Sequence, residues 1–177
     1  MRKSEVVLWA VLLGVVLSSV AHAAAQQDVT LTATIRGLGV SADPATYAFG
    51  VLDAGSTTVS ATEVVVTNSG NSAEDIGIKI KDEDDREEWT VAAAAAANVY
   101  VLSTRLAATA GEFVAGDRLT TAVQWCEGTK FGGGGNDMAA SGTVNQWFQF
   151  AAPTSVTGAH AAEQHTITVE LSCRAAE

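Results

Sequence analysis

Several residue types are scarce in this chain, and each shortage narrows what it can be. Its 177 residues include two prolines, two cysteines, three histidines and ten Lys or Arg against twenty Asp or Glu. The formal charge of −10 repels a phosphate backbone and argues against nucleic acid as a partner. The shortage of histidine speaks against an enzyme. Beyond His22, only His160 and His165 could serve as a base, and neither lies in a Ser/His/Asp or Cys/His pattern. The glycine run Gly132 to Gly135 has no Lys-Ser/Thr after it, so it is not a phosphate cradle. Two cysteines without histidines at ligand spacing make no zinc site. Leu, Val, Thr and Ala are plentiful and proline is rare, which is not the composition of a disordered chain.

One long apolar run is present, at the start. Arg2 and Lys3 precede the uninterrupted stretch Val6 to Leu17, and Ala21-His22-Ala23 follows as an A-x-A site. This three-part pattern predicts a secretory signal peptide over residues 1–23. The run falls short of the roughly 20 residues a membrane span prefers. The processed chain is therefore expected to be secreted, extracellular or at the cell surface, and not an integral membrane protein. Removing Arg2, Lys3 and Glu5, which together carry +1, leaves −11 on residues 24–177, read as a single domain. Cys126 and Cys173 both end strand-like runs, "TTAVQWC" and "HTITVELSC". In an exported chain they are expected to pair, and closing that loop stabilises by about 4 kcal/mol.

Period-2 runs recur along the chain. Tyr47, Phe49 and Val51 alternate with small residues, and "TEVVVTN" is rich in β-branched side chains. "DIGIKIK" puts Ile76, Ile78 and Ile80 on one face. "RLTTAVQW", "VNQWFQF" and "HTITVELSC" alternate in the same way, while "VYVLSTRL" is ambiguous. "SADPA", "LDAGS", "NSGNS" and "FGGGGND" supply turns. Seven to nine short strands predict an all-β, antiparallel, immunoglobulin-like or jelly-roll-like sandwich with little helix. Ala92 to Ala97 are compatible with a short helix or a loop excursion. In the turn after "VVVTN", Asn68 and Gly70 are expected to take positive φ and Asn71 to bond its own backbone.

Three stretches hold candidate sites. "QQDVTLTATIRGL" alternates strictly, with Val29, Leu31, Ala33 and Ile35 apolar and Thr30, Thr32, Thr34 and Arg36 polar. This segment, 24–38, is an ordinary first strand, a weakly paired edge strand or a strand donated to a neighbour; Gly37 and Gly39 would hinge it away from the body. "KDEDDREEW" reads as a solvent-exposed acidic loop in which Asp82, Asp84 and Asp85 could offer oxygens to calcium, although no EF-hand spacing is present. Trp89, Trp125 and Trp147 would suit sugar stacking if exposed, or a sandwich core if buried.

"YAFGVLDAGSTTVSATEVVVTNSGNSAEDIGIKI", with its aromatic edge strand, Gly-Ser turn and "TNSGN" reversal, resembles the opening half of exported immunoglobulin-like domains. "WFQFAAPT … HTITVEL" is similar to their closing hairpin. The layout of signal peptide, alternating N-terminal strand and "TNxGN"-like turn resembles filament subunits of the TasA/camelysin type. That resemblance implies insertion of the N-terminal strand into the next subunit. The chain departs from the family in its shorter length and its two cysteines.

The expectation is an exported, non-enzymatic structural subunit of an extracellular filament or biofilm matrix, partnered by copies of itself through donor-strand complementation, with no cofactor unless calcium. The alternative is a monomeric secreted module that binds carbohydrate or calcium. If the A-x-A site is used, the intact mass of secreted protein will correspond to a chain starting near Ala24. A retained Met1, or a start beyond Leu31, would remove both the cleavage site and the donor segment.

Overall fold

Val64, Val66 and Asn68 are buried while Val65 and Thr67 between them are half-buried, the signature of a strand with one face against a core. Residues 31–160 and 163–177 are described by the computed structural model. The chain divides into two units, Met1–Thr34 and Ile35–Glu177. The signal peptide, the start of the donor segment and Val29 lie outside the described residues. In the first unit, residues 31–34 are exposed and carry no strand.

The described strands lie in the second unit: β1 (Val40–Asp43), β2 (Thr57–Val59), β3 (Val64–Asn68), β4 (Glu74–Asp82), β5 (Thr90–Val91), β6 (Val99–Leu106), β7 (Gln124–Trp125), β8 (Thr143–Ala151) and β9 (Thr168–Ala175). They form a six-stranded sheet in the order β1-β3-β8-β6-β5, with β2 also on β8, and a three-stranded sheet β7-β4-β9. All pairings between these strands are antiparallel except β5 with β6. The expected all-β sandwich of seven to nine strands is thus present. Its only described helices are two short 3-10 turns, Ala115–Asp117 and Lys130–Gly132.

One core fills the space between the sheets. Ile76, Ile78 and Ile80 of β4 meet Val66 of β3, Tyr100, Leu102 and Leu106 of β6, and Phe150 of β8. Two buried polar side chains pair across β6 and β8: Gln146 Nε2 donates to Thr104 Oγ1 at 3.0 Å, whose hydroxyl donates to the Trp147 carbonyl at 3.0 Å. β2 and β3 follow one another along one edge of β8. At the kink between them, Ser60 Oγ accepts the Phe148 amide at 3.0 Å.

Two local expectations are corrected, and for the alanine run the loop excursion holds over the helix. Residues 47–51 form no strand, and Val51 is fully exposed. Of "RLTTAVQW" only Gln124–Trp125 is strand. The alanine run is no helix: the Ala92 amide donates to the Tyr100 carbonyl at 3.1 Å and the Thr154 amide to the Ala96 carbonyl at 3.0 Å. Pairing with the sheet outweighs alanine's helix propensity over a segment too short to nucleate a helix.

The expected Cys126–Cys173 bridge is not formed; both thiols are free. The register explains this. Cys173 stands opposite Ile76 on one side of β4, and on the other side the Cys126 amide donates to the Ile76 carbonyl at 2.9 Å. Two inter-strand spacings, about 10 Å, separate the cysteines, and a disulfide needs Cα atoms within roughly 7 Å. Burial pushes the Cys126 thiol up to about 12, against a smaller opposing pull from Lys130, so it stays protonated and inert. Burial, then Glu74, also raises Cys173. Thiol labelling of the unfolded, unreduced protein should therefore find two free thiols per chain. Finding none would overturn this register.

Candidate functional site

The N-terminal segment and the turn after β3 form the first candidate site. Asn68 is fully buried. Its Nδ2 donates to the carbonyls of Ser72 and Met138, both at 2.8 Å, and its Oδ1 accepts the Gly70 amide at 2.8 Å. That is an Asx-type reversal. Neither Asn68 nor Gly70 takes a positive φ, contrary to expectation. Glycine is needed at position 70 for space: a Cβ there would lie 2.1 Å from Glu74 Oε1 and 2.6 Å from the Gly37 carbonyl oxygen.

Asn71 bonds the N-terminal segment and not its own backbone. Its Oδ1 accepts the Gly37 amide at 2.8 Å, its Nδ2 donates to the Ile35 carbonyl at 2.8 Å, and its amide donates to the Gly37 carbonyl at 3.0 Å. Two more bonds follow. The Ser69 amide donates to the Gly39 carbonyl at 2.8 Å, and the Gly39 amide donates to Oε1 of the fully buried Glu74 at 2.9 Å. Gly37 and Gly39 are therefore pinned rather than a hinge. The apolar positions before them are bare: Leu31 is 90% exposed and Ile35 89%, and residues 31–39 form no strand. Ala33 is exposed as well.

The acidic stretch builds a second cluster, differing from the expected one. Asp82 and Asp85 are exposed, but Asp84 is buried, which corrects the reading of a wholly solvated loop. Asp84 Oδ2 accepts the amides of Glu88 and Trp89, each at 2.9 Å, and Oδ1 meets His165 Nδ1 at 2.9 Å. The other ring nitrogen, Nε2, lies 3.2 Å from the His160 carbonyl. The His165 ring stacks on Trp89 with centroids 4.0 Å apart. Asp85 Oδ1 accepts the Thr166 amide at 2.8 Å. The carboxylates that come together with a histidine are thus Asp84 and Asp85, with His165 within 4.8 Å, and Asp82 is not among them. The acceptor capacity of Asp84 is spent on tying the acidic loop to residues 160–166. The sequence signal for this was an isolated histidine just before the last strand.

Burial pushes the Asp84 carboxyl up, but the Glu88 amide, the His165 ring and the Trp89 and Arg86 amides outweigh it and hold the group below the ordinary carboxylate range.

The tryptophans make no shared platform. Trp89 stacks with His165 and Phe150 and meets Tyr100 at a tilt. Trp125 lies under the Arg174 guanidinium at 4.7 Å. Trp147 Nε1 donates to the Ala107 carbonyl at 3.1 Å. Among the described residues no helix is long and apolar enough to cross a membrane.

Comparison with protein-family models, curated proteins and solved structures finds no match.

Asp84→Ala should destabilise the fold by about 1–3 kcal/mol at neutral pH, because it strands buried amides and the His165 ring. A carboxyl with a depressed folded pKa stabilises above its unfolded value, near 3.8, and that stability is lost as pH falls through the folded value. Melting temperatures of wild type and Asp84→Ala should therefore differ by a constant amount above about pH 5 and converge below pH 4. A gap that widens on acidification would refute the assignment.

Proposed function

We propose that this chain is an exported, non-enzymatic structural protein whose copies join head to tail outside the cell as a filament or matrix, each giving its N-terminal segment to the next. One observation carries the reading: an alternating apolar segment stands 90% and 89% exposed at Leu31 and Ile35 immediately before a root held by five hydrogen bonds. Covering each such side chain is worth about 1.5–3 kcal/mol, and addition as a strand satisfies its backbone groups at the same time. A root fixed in direction lowers the ordering cost of that addition. Because donor and acceptor would be different surfaces, the contact is heterologous and propagates.

The alternative, a monomeric calcium- or carbohydrate-binding module, draws less support. Asp84 is committed to backbone amides, and the tryptophan rings are separately engaged.

Leu31→Asp or Ile35→Asp should abolish assembly and leave a soluble, folded monomer, since an unpaired charge in an apolar groove costs several kcal/mol. Deletion of residues 24–36 should do the same. Size-exclusion chromatography and circular dichroism, run side by side, decide the matter. A deletion protein that unfolds, beside a wild type that elutes as a monomer, would refute donation and favour the binding module.

A further inference from the structure

Among the described residues, strand β9 is the longest sheet edge and the one with the most half-buried apolar side chains. It has eight residues and pairs with β4 alone among the described residues. The other edges are short: β1 has four residues and runs into Pro44, β2 has three, and β5 and β7 have two each. A five-residue segment such as Leu31 to Ile35 spans about 17 Å when extended, which only β9 can match in full.

Hydrogen-bond parity shows which groups of β9 are free. The Ile76 amide donates to the Gly135 carbonyl, the Ile76 carbonyl accepts from the Cys126 amide, and the Ile80 amide donates to the Thr120 carbonyl, so these residues bond on the side away from β9. Asp75, Gly77 and Lys79 must then bond β9, through their register partners Arg174, Ser172 and Glu170. The amides and carbonyls of Val169, Leu171 and Cys173 consequently point to the open edge.

The side chains of those three residues share the core face with their partners Ile80, Ile78 and Ile76. Yet the isoleucines are 0–1% exposed, while Val169, Leu171 and Cys173 are only half-buried, as is Ile167. One strand further out the core is less covered, with β1 lying close to β9. Val40 of β1, on the opposite sheet, packs against the same core and is also half-buried. The charged residues of β9 itself lie on the outer face, Glu170 with Lys79 and Lys81, and Arg174 with Asp75 and Glu127; on the core face the buried Glu74 carboxylate of β4 lies beside the Cys173 thiol at one end.

The structure assigns this edge of β9 as the acceptor for the N-terminal segment of a second copy, with Leu31, Ala33 and Ile35 completing the core over Val169, Leu171 and Cys173. The assignment rests on the donation reading above and adds to it the surface that receives the strand.

The native thiol at position 173 gives a direct test in the full mature chain. Leu31→Cys, Ala33→Cys and Ile35→Cys, each assembled and mildly oxidised, should include at least one variant that forms covalent dimers and ladders on non-reducing denaturing gels. Adding Cys173→Ser should abolish them. Hydrogen exchange provides the second measurement: the amides of Val169, Leu171 and Cys173 should exchange at least about tenfold more slowly in assembled wild type than in the Leu31→Asp monomer. Assembly with no thiol-dependent ladder and unchanged exchange along β9 would overturn this acceptor while leaving donation intact. A wild type that never assembles would overturn donation, and this assignment with it.

Discussion

The isoleucine row of β4 is the constraint on which the rest of the sandwich depends. Ile76, Ile78 and Ile80 are sealed at 0–1% exposure because β4 is flanked on both sides and faced by the six-stranded sheet. A period of two allows no slip without turning all three into solvent, so the registers of β7 and β9 follow from theirs. That register places Ile76 between the two cysteines and keeps them apart. It also turns the free backbone groups of β9 outward together with a half-covered core face. One row of β-branched side chains thus keeps the two thiols apart and sets the character of the long edge left open among the described residues.

A second theme is the use of buried polar side chains to hold irregular backbone. Asn68, Glu74 and Asp84 are each almost fully buried, and each accepts backbone amides where the chain leaves regular pairing. An amide with no partner in such places would carry a penalty comparable to a lost hydrogen bond. These side chains meet that need with geometry specific to one loop conformation. The acidic composition of the chain is therefore not wholly a matter of solubility. Asp84 and Glu74 are structural, while Asp82 and Asp85 remain at the surface.

Much of the fold was legible in the sequence where alternation ran long. "VVVTN", "DIGIKIK", "VNQWFQF" and the run before Cys173 all form strands, and Ile76, Ile78 and Ile80 share the expected face. Short or weakly alternating runs failed: residues 47–51 form no strand, and "RLTTAVQW" touches β4 and β6 at single residues before its two-residue strand, too few bonds for a continuous ladder. The cysteine pairing was misjudged because strand-end placement says nothing about which strand lies between. The role of Asp84 was hidden because a carboxylate that accepts amides and one that faces water look alike in a charged run. Gly37 and Gly39 looked like a hinge, since glycine is permissive. The bonds that immobilise them come from a turn more than thirty residues away.

The pinned root also has a mechanical meaning. Its anchors follow in order along the chain: Ile35 on Asn71, Gly37 on Asn71, Gly39 on Ser69 and Glu74, and then β1 laid along β3. Tension applied through the N-terminus reaches these anchors one after another, beginning at Asn71, before it loads the sandwich. The innermost of them is a buried carboxylate whose other oxygen, Oε2, has no hydrogen-bond partner. Pulling on the N-terminus would therefore open this short graded strap with the isoleucine core still intact.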